Sequence, residues 1–100
     1  MPYLFYCTDG EGAQQLRQDH MQAHLAYVEG ILERMCVAGP LRDAPGSPVS
    51  GSCFIFATES RDEALRLLQG DPYYQAGVFA EVSGHHLAAV AGEWVGGKLW

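Results

Sequence analysis

The sequence predicts an α+β fold of order βαββαβ, an antiparallel sheet covered on one side by two helices. Three observations predict it. Aromatic and apolar runs at 2–8 (PYLFYCT), 52–58 (SCFIFAT) and 77–90 (GVFAEVSGHHLAAV) read as strands. Between them lie one long and one short stretch of helical periodicity. The 100 residues, 48% apolar and 18% charged, suffice for one packed core but not for a cofactor domain beside a substrate domain. The expected organisation is a single domain over 1–100, with 91–100 as a tail.

The first strand, 2–8, ends at the turn signal Asp9-Gly10. From about Gln14 to Met35 the pattern turns helical. Met21, Leu25, Val28, Leu32 and Met35 step by 4, 3, 4 and 3, the spacing of one apolar stripe expected to face the core. Gly30 falls on the outer face, where it weakens the helix by about 1 kcal/mol without ending it. Val37-Ala38 continue as a short strand into Gly39-Pro40. Residues 40–51 hold three prolines and two glycines and read as a loop of suggestive length. After the 52–58 strand, Ser60 and Glu63 form a capping box that opens a helix over 61–69, closed by Gly70. Asp71-Pro72 reads as an N-cap with proline at the first helical position, starting a short turn through Gln75. The last strand spans 77–90, with a bulge expected at Gly84.

This order is that of a ferredoxin-like sandwich. The strands PYLFYC and SCFIFA are apolar on both alternating faces, as in sheets covered on both sides. Two helices cover only one face. A second copy of the chain is the economical cover for the other, so a homodimer packed sheet to sheet is expected.

Charge and cysteines bound the function. Six Lys+Arg against twelve Asp+Glu give 6 − 12 = −6, with no basic run, which argues against a nucleic-acid partner. The N-terminus lacks the basic region of a secretory signal. No apolar stretch approaches the roughly 20 residues needed to cross a bilayer. Cys7, Cys36 and Cys53 are odd in number and form no C-x-x-C pair. They read as buried reduced thiols behaving as small hydrophobes, not as nucleophiles. A cytoplasmic location without a membrane partner is expected.

Chemistry has few places to sit. His20 and His24 form an i, i+4 pair, but Met21 stands where a zincin has Glu. A metal would need a third ligand from a carboxylate or from His85 and His86, so no metal is assigned. On a wheel of about 100° per residue with Met21 at zero, His24 lies at about 300°, at the edge of the apolar arc, and His20 further toward solvent. His24 reads either as a structural histidine or as a cleft base. Asp71 is a turn cap, or the partner of a cation or imidazole. Glu81 is a cleft acid or an interface residue. Trp94 and Trp100 read as anchors of the tail or of an interface. Tyr73 and Tyr74 stay open. Nucleotide-loop patterns are absent.

The segments AHLAYVEGILERM, VAGP, GSCFIFATESRDEA and DPYYQAGVF follow one another in an order that resembles the YciI-like (YCII-related) family, over about residues 2–90. Their combination carries the resemblance, not any one fragment. It implies a ferredoxin-like fold that dimerises through its sheets into an α+β barrel, and small enzymes with a His and an Asp as the active pair. By motif these are His24 in A-H-L and Asp71 in D-P-Y. The implied activity is cofactor-free general acid/base chemistry, lyase- or dehalogenase-like, on a small hydroxylated aromatic metabolite. His24 would move the proton and Asp71 orient it. The 40–51 loop and Tyr3, Phe5, Phe54 and Phe56 would shape the pocket. The alternative is a non-catalytic ligand-binding or accessory dimer. Where many relatives carry an arginine three residues before the helix histidine, this chain has Met21, with His20 and Arg17 nearby. An anion contact implied at that position is therefore lacking.

Overall fold

The computed structural model describes residues 2–100. Strand β1 (Tyr3–Asp9) is followed by helix α1 (Ala13–Glu29), a 3-10 turn (Leu32–Arg34), β2 (Met35–Leu41) and β3 (Gly51–Phe56). Helix α2 (Arg61–Gln69), the single turn α3 (Pro72–Gln75) and β4 (Phe79–His86) complete the body. A small hairpin of β5 (Ala91–Gly92) and β6 (Gly97–Lys98) forms the tail. The main sheet has order β2-β3-β1-β4, antiparallel at every pairing. Among the described residues no helix is long and apolar enough to cross a membrane.

Register explains the core. Tyr3 lies opposite Phe56, Phe5 opposite Phe54 and Cys7 opposite Ser52, so these side chains share one face. On that face Tyr3, Phe5, Cys7, Phe54 and Phe56 are buried with Ala64 and Leu68 of α2. Gly84 faces Phe5 across β1–β4, and a β-carbon there would collide with the Phe5 and Tyr3 rings. Its smallness lets the aromatic layer lie flat; the irregularity in this pairing falls at Thr8/Asp9 instead of at Gly84. The opposite face carries Leu4, Tyr6, Val37 and Ile55 on neighbouring strands, and Tyr6 is 53% exposed.

Several boundaries differ from the sequence reading, each for a physical reason. Helix α1 ends at Glu29, because the Gly30 N–H bonds the carbonyls of Ala26 and Tyr27 and the backbone then tightens into the 3-10 turn. Leu32 leaves the stripe and is exposed, and Met35 starts β2 instead of ending a helix. Strand β2 is seven residues long and not two. It tolerates Pro40 because β2 is an edge strand, where a missing N–H removes no ladder bond. The final strand is shorter than 77–90: Gly77, at φ +81°, and buried Val78 form the turn before it.

The apolar stripe of α1 is the largest departure. Met21 and Leu25 are 44% and 51% exposed, so this face does not meet the core. The helix buries Ala13 and partly Leu16 against Tyr73, Val78 and Phe79 instead. Trp94 and Trp100 are exposed, so neither anchors the tail to this chain. Cys36 is exposed on β2, whereas Cys7 is buried as expected.

Candidate functional site

Helix α1 stands over the β2–β3 end of the sheet and leaves a cleft of about 550 Å³ between them. Arg17, Met21, His24 and Leu25 form one wall, Ala38 and Pro40 of β2 the other; Pro48 and Val49 of the loop close one end. Ser52, Phe54 and Tyr73 also line it. Of the aromatic residues expected here, Phe54 alone reaches the cleft, because Tyr3, Phe5 and Phe56 are consumed by the core.

Asp71 is 1% exposed. It caps α3 by accepting the Tyr73 N–H at 2.8 Å, with Pro72 at the first helical position. The same carboxylate reaches across to α1, where both oxygens lie 2.8 and 2.9 Å from His24 Nδ1. The capping role and the partner role coexist in one side chain. An ionised carboxylate can only accept, so the shared proton sits on Nδ1 and the neutral ring keeps its lone pair on Nε2. The Tyr73 ring stacks on the imidazole, centroids 3.9 Å apart and planes 4° from parallel. Carboxylate and phenol thus fix both the tautomer and the ring plane. Nε2 has no protein partner, and no buried side-chain nitrogen or oxygen among the described residues lacks one. Nε2 is therefore accessible, on a residue that lines the cleft.

A second polar group lies two helical turns away. Arg17 Nε and Nη2 each donate to Asp9 at 2.8 Å, and Nη2 also donates to Gly51 O and Ser52 Oγ. The guanidinium sits over the Tyr73 and Phe79 rings, 5.2 and 5.7 Å from their centroids. Its Nη1 makes no hydrogen bond and, by the same reasoning, is accessible at the cleft. Tyr73 closes the network by donating its hydroxyl to Arg17 O at 3.2 Å. Burial pushes the Tyr73 phenol pKa up, an effect the Arg17 charge partly offsets.

The other candidates are elsewhere. His20 does not line the cleft. His85 Nε2 pairs with Ser83 Oγ at 2.9 Å, and His86 Nε2 donates to the Glu59 carbonyl at 2.7 Å. Glu81 is exposed and faces Thr8 across the β1–β4 pairing. No group of three or more metal-binding side chains occurs among the described residues. The sequence pattern did not single out Ser52, and left Tyr73 unassigned. The available signals were the seven-residue step from Arg17 to His24, which keeps both on one helix face, and the position of Tyr73 two residues after the cap.

The comparisons with known proteins bear on the family and the fold. The YCII-related domain model matches residues 1–83. Protein YciI of Escherichia coli O6:H1 is 31% identical over 90 residues, covering 83% of this chain and 92% of that protein. The Shigella flexneri protein of the same name matches equally. Among solved structures, the 5-chloro-2-hydroxyhydroquinone dehydrochlorinase TftG of Burkholderia phenoliruptrix AC1100, in complex with 2,5-dihydroxybenzoquinone, superposes with a TM-score of 0.79. It is 33% identical, and the match covers 93% of this chain and 97% of that one. On the family match and the shared fold, the chain belongs to the YCII-related domain family.

Proposed function

We propose that this protein is a small enzyme that removes a proton, and with it a halide or similar leaving group, from a hydroxylated ring compound. The observation that carries the reading is His24, whose Nδ1 is held by both Asp71 oxygens while Nε2 is open to the cleft. In the keto form of such a ring, the proton on the carbon next to the carbon–halogen bond is acidified by the carbonyl. It passes to Nε2, its electron pair becomes a C=C bond, and halide leaves. Negative charge develops on the ring oxygen, and the free Arg17 Nη1 with Ser52 Oγ are donors suited to it. Asp71 keeps the tautomer and the orientation. This chemistry asks for no organic cofactor, and the similarity to a dehydrochlorinase supports the substrate class.

A homodimer packed through the Leu4, Tyr6, Val37 and Ile55 face, in a cytoplasmic setting that keeps three free thiols reduced, belongs to the same reading. Sedimentation at micromolar protein giving only the single-chain mass would remove the dimer. The function is tested by halide release from chlorinated hydroxyquinols. The wild-type protein should release halide, and His24→Ala should fold normally and release none. If His24→Ala keeps the wild-type rate, the assignment is wrong; if the cleft binds such rings tightly and never converts them, the protein is a binding module.

A further inference from the structure

The stripe Met21, Leu25 and Val28 is placed where an amphipathic helix normally meets its core, yet here it borders the cleft. On the wheel used above, His24 and Arg17 lie at about −60° and −40°, and Val28, Met21 and Leu25 follow at about −20°, 0° and +40°. Exposure separates the polar pair from the apolar residues. The His24 and Arg17 side chains are 17% and 11% exposed, whereas Met21 and Leu25 are 44% and 51% exposed as residues. The cleft therefore has a polar floor and an apolar collar. Pro40, Pro48 and Val49 face the collar from the sheet and the loop. The collar is about 10 Å long, seven residues of helix. The whole cleft, about 550 Å³, lies inside the range of roughly 300–1,000 Å³ of pockets that bury drug-sized ligands.

Charge narrows the ligand further. Arg17 is paired with Asp9 and His24 with Asp71, so the floor offers directed donors and a base with little net charge. Arg42, whose Nη1 donates to the Ser47 carbonyl, is the one arginine of the lining without a carboxylate partner, so a phosphate dianion or a dicarboxylate would find a single surplus charge there, enough for a singly ionised ring. We infer that the natural ligand is a neutral or singly ionised hydroxylated ring bearing an apolar side arm, alkyl or aryl, that lies between the α1 collar and the loop prolines. The inference rests on the proposed function for the ring end and adds the arm.

A series of 4-alkylresorcinols from methyl to hexyl, which carry no halide to lose, tests it by calorimetric binding to the full chain. Affinity should rise about fourfold per methylene, the value for burying one CH₂, until the collar is filled. The paired substitution Met21→Ser, Leu25→Ser should flatten that rise. A flat series on the wild-type protein overturns the arm, and if halide is still released from an unsubstituted chlorohydroxyquinol, the proposed function survives. Failure of every resorcinol to bind overturns the arm, and together with absence of halide release overturns both. A change in sedimentation of the paired variant, with the slope unaltered, would mean that the collar meets protein, and also overturns the inference.

Discussion

The Tyr27 hydroxyl occupies the space that a β-carbon on Gly70 would need, and donates to the Leu67 carbonyl at 2.6 Å. Tyr27 lies one turn beyond His24 on α1, and Gly70 immediately precedes Asp71. This contact sets the spacing between the helix that carries the imidazole and the turn that carries the carboxylate. It requires smallness at position 70, not an unusual backbone, since Gly70 is right-handed at φ −75°.

Gly70→Ala is therefore expected to cost about 1–3 kcal/mol by overpacking. Tyr27→Phe loses one hydrogen bond, about 1 kcal/mol. In the double variant the nearest clashing atom is gone, although ring carbons 2.8 and 3.0 Å from the new methyl remain, so part of the overpacking is relieved and the combined loss should fall below the sum. Urea denaturation of the four proteins measures the coupling. Strict additivity would show that the two residues do not bear on each other.

Asp71→Asn separates the cap from the base pair. The Asn carbonyl can keep the Tyr73 N–H, so α3 should persist with a loss below about 1 kcal/mol. Its amide then presents a donor to His24 Nδ1 and drives the proton to Nε2. Nitrogen-15 NMR of the ring should show the changed tautomer. Halide release should drop by up to about 10⁴, the scale of the same substitution in the serine-protease triad. An unchanged tautomer would mean that Asp71 does not set it.

The long-range frame was legible in the residues. Continuous aromatic and apolar runs marked β1, β3 and β4, and Ser60 with Glu63 marked the start of α2, where Ser60 Oγ accepts the Glu63 N–H at 3.1 Å. The Glu63 carboxylate departs from a full capping box, accepting from Thr58 at 2.8 Å and pairing with Arg34. Asp71-Pro72 was readable as a cap because cap chemistry is local. What the stripe of α1 faces was not readable. Periodicity says that Met21, Leu25 and Val28 share a side, but whether that side meets a sheet or a cleft depends on where the tertiary contacts of Tyr27 and Tyr73 set the helix. The Arg17–Asp9–Ser52 cluster was hidden for the same reason, since it joins positions up to 43 apart in sequence.

Arg17 and Asp9 form a pair whose side chains are 11% and 9% exposed. Removing the cation alone strands a carboxylate in a poorly solvated site. Arg17→Met is expected to cost about 3 kcal/mol or more, and Asp9→Asn in that background should recover part of the loss. Arg17→Lys should not restore the wild type, because one ammonium cannot reproduce the two-pronged contact with Asp9 while also reaching Ser52. Thermal melts of the four proteins check the order. A fully stable Arg17→Met would mean that the pair contributes nothing.

The thiols give a pH dependence with a definite sign. Burial, and then the neighbouring Cys53, push the Cys7 thiol from 9.0 up to about 12. The folded chain thus holds this proton where the unfolded chain, with an ordinary thiol, releases it. The corresponding stability is complete below pH 9 and is lost progressively as pH rises from 9 toward 12, by up to about 1.4 kcal/mol per pH unit. Cys7→Ala removes that dependence, so its denaturation midpoint should fall less steeply over this range than the wild type's. Iodoacetamide at pH 8 should label exposed Cys36 rapidly and leave Cys7 unmodified until the protein unfolds. Equal labelling of both thiols in the folded protein would show that Cys7 is neither buried nor held protonated.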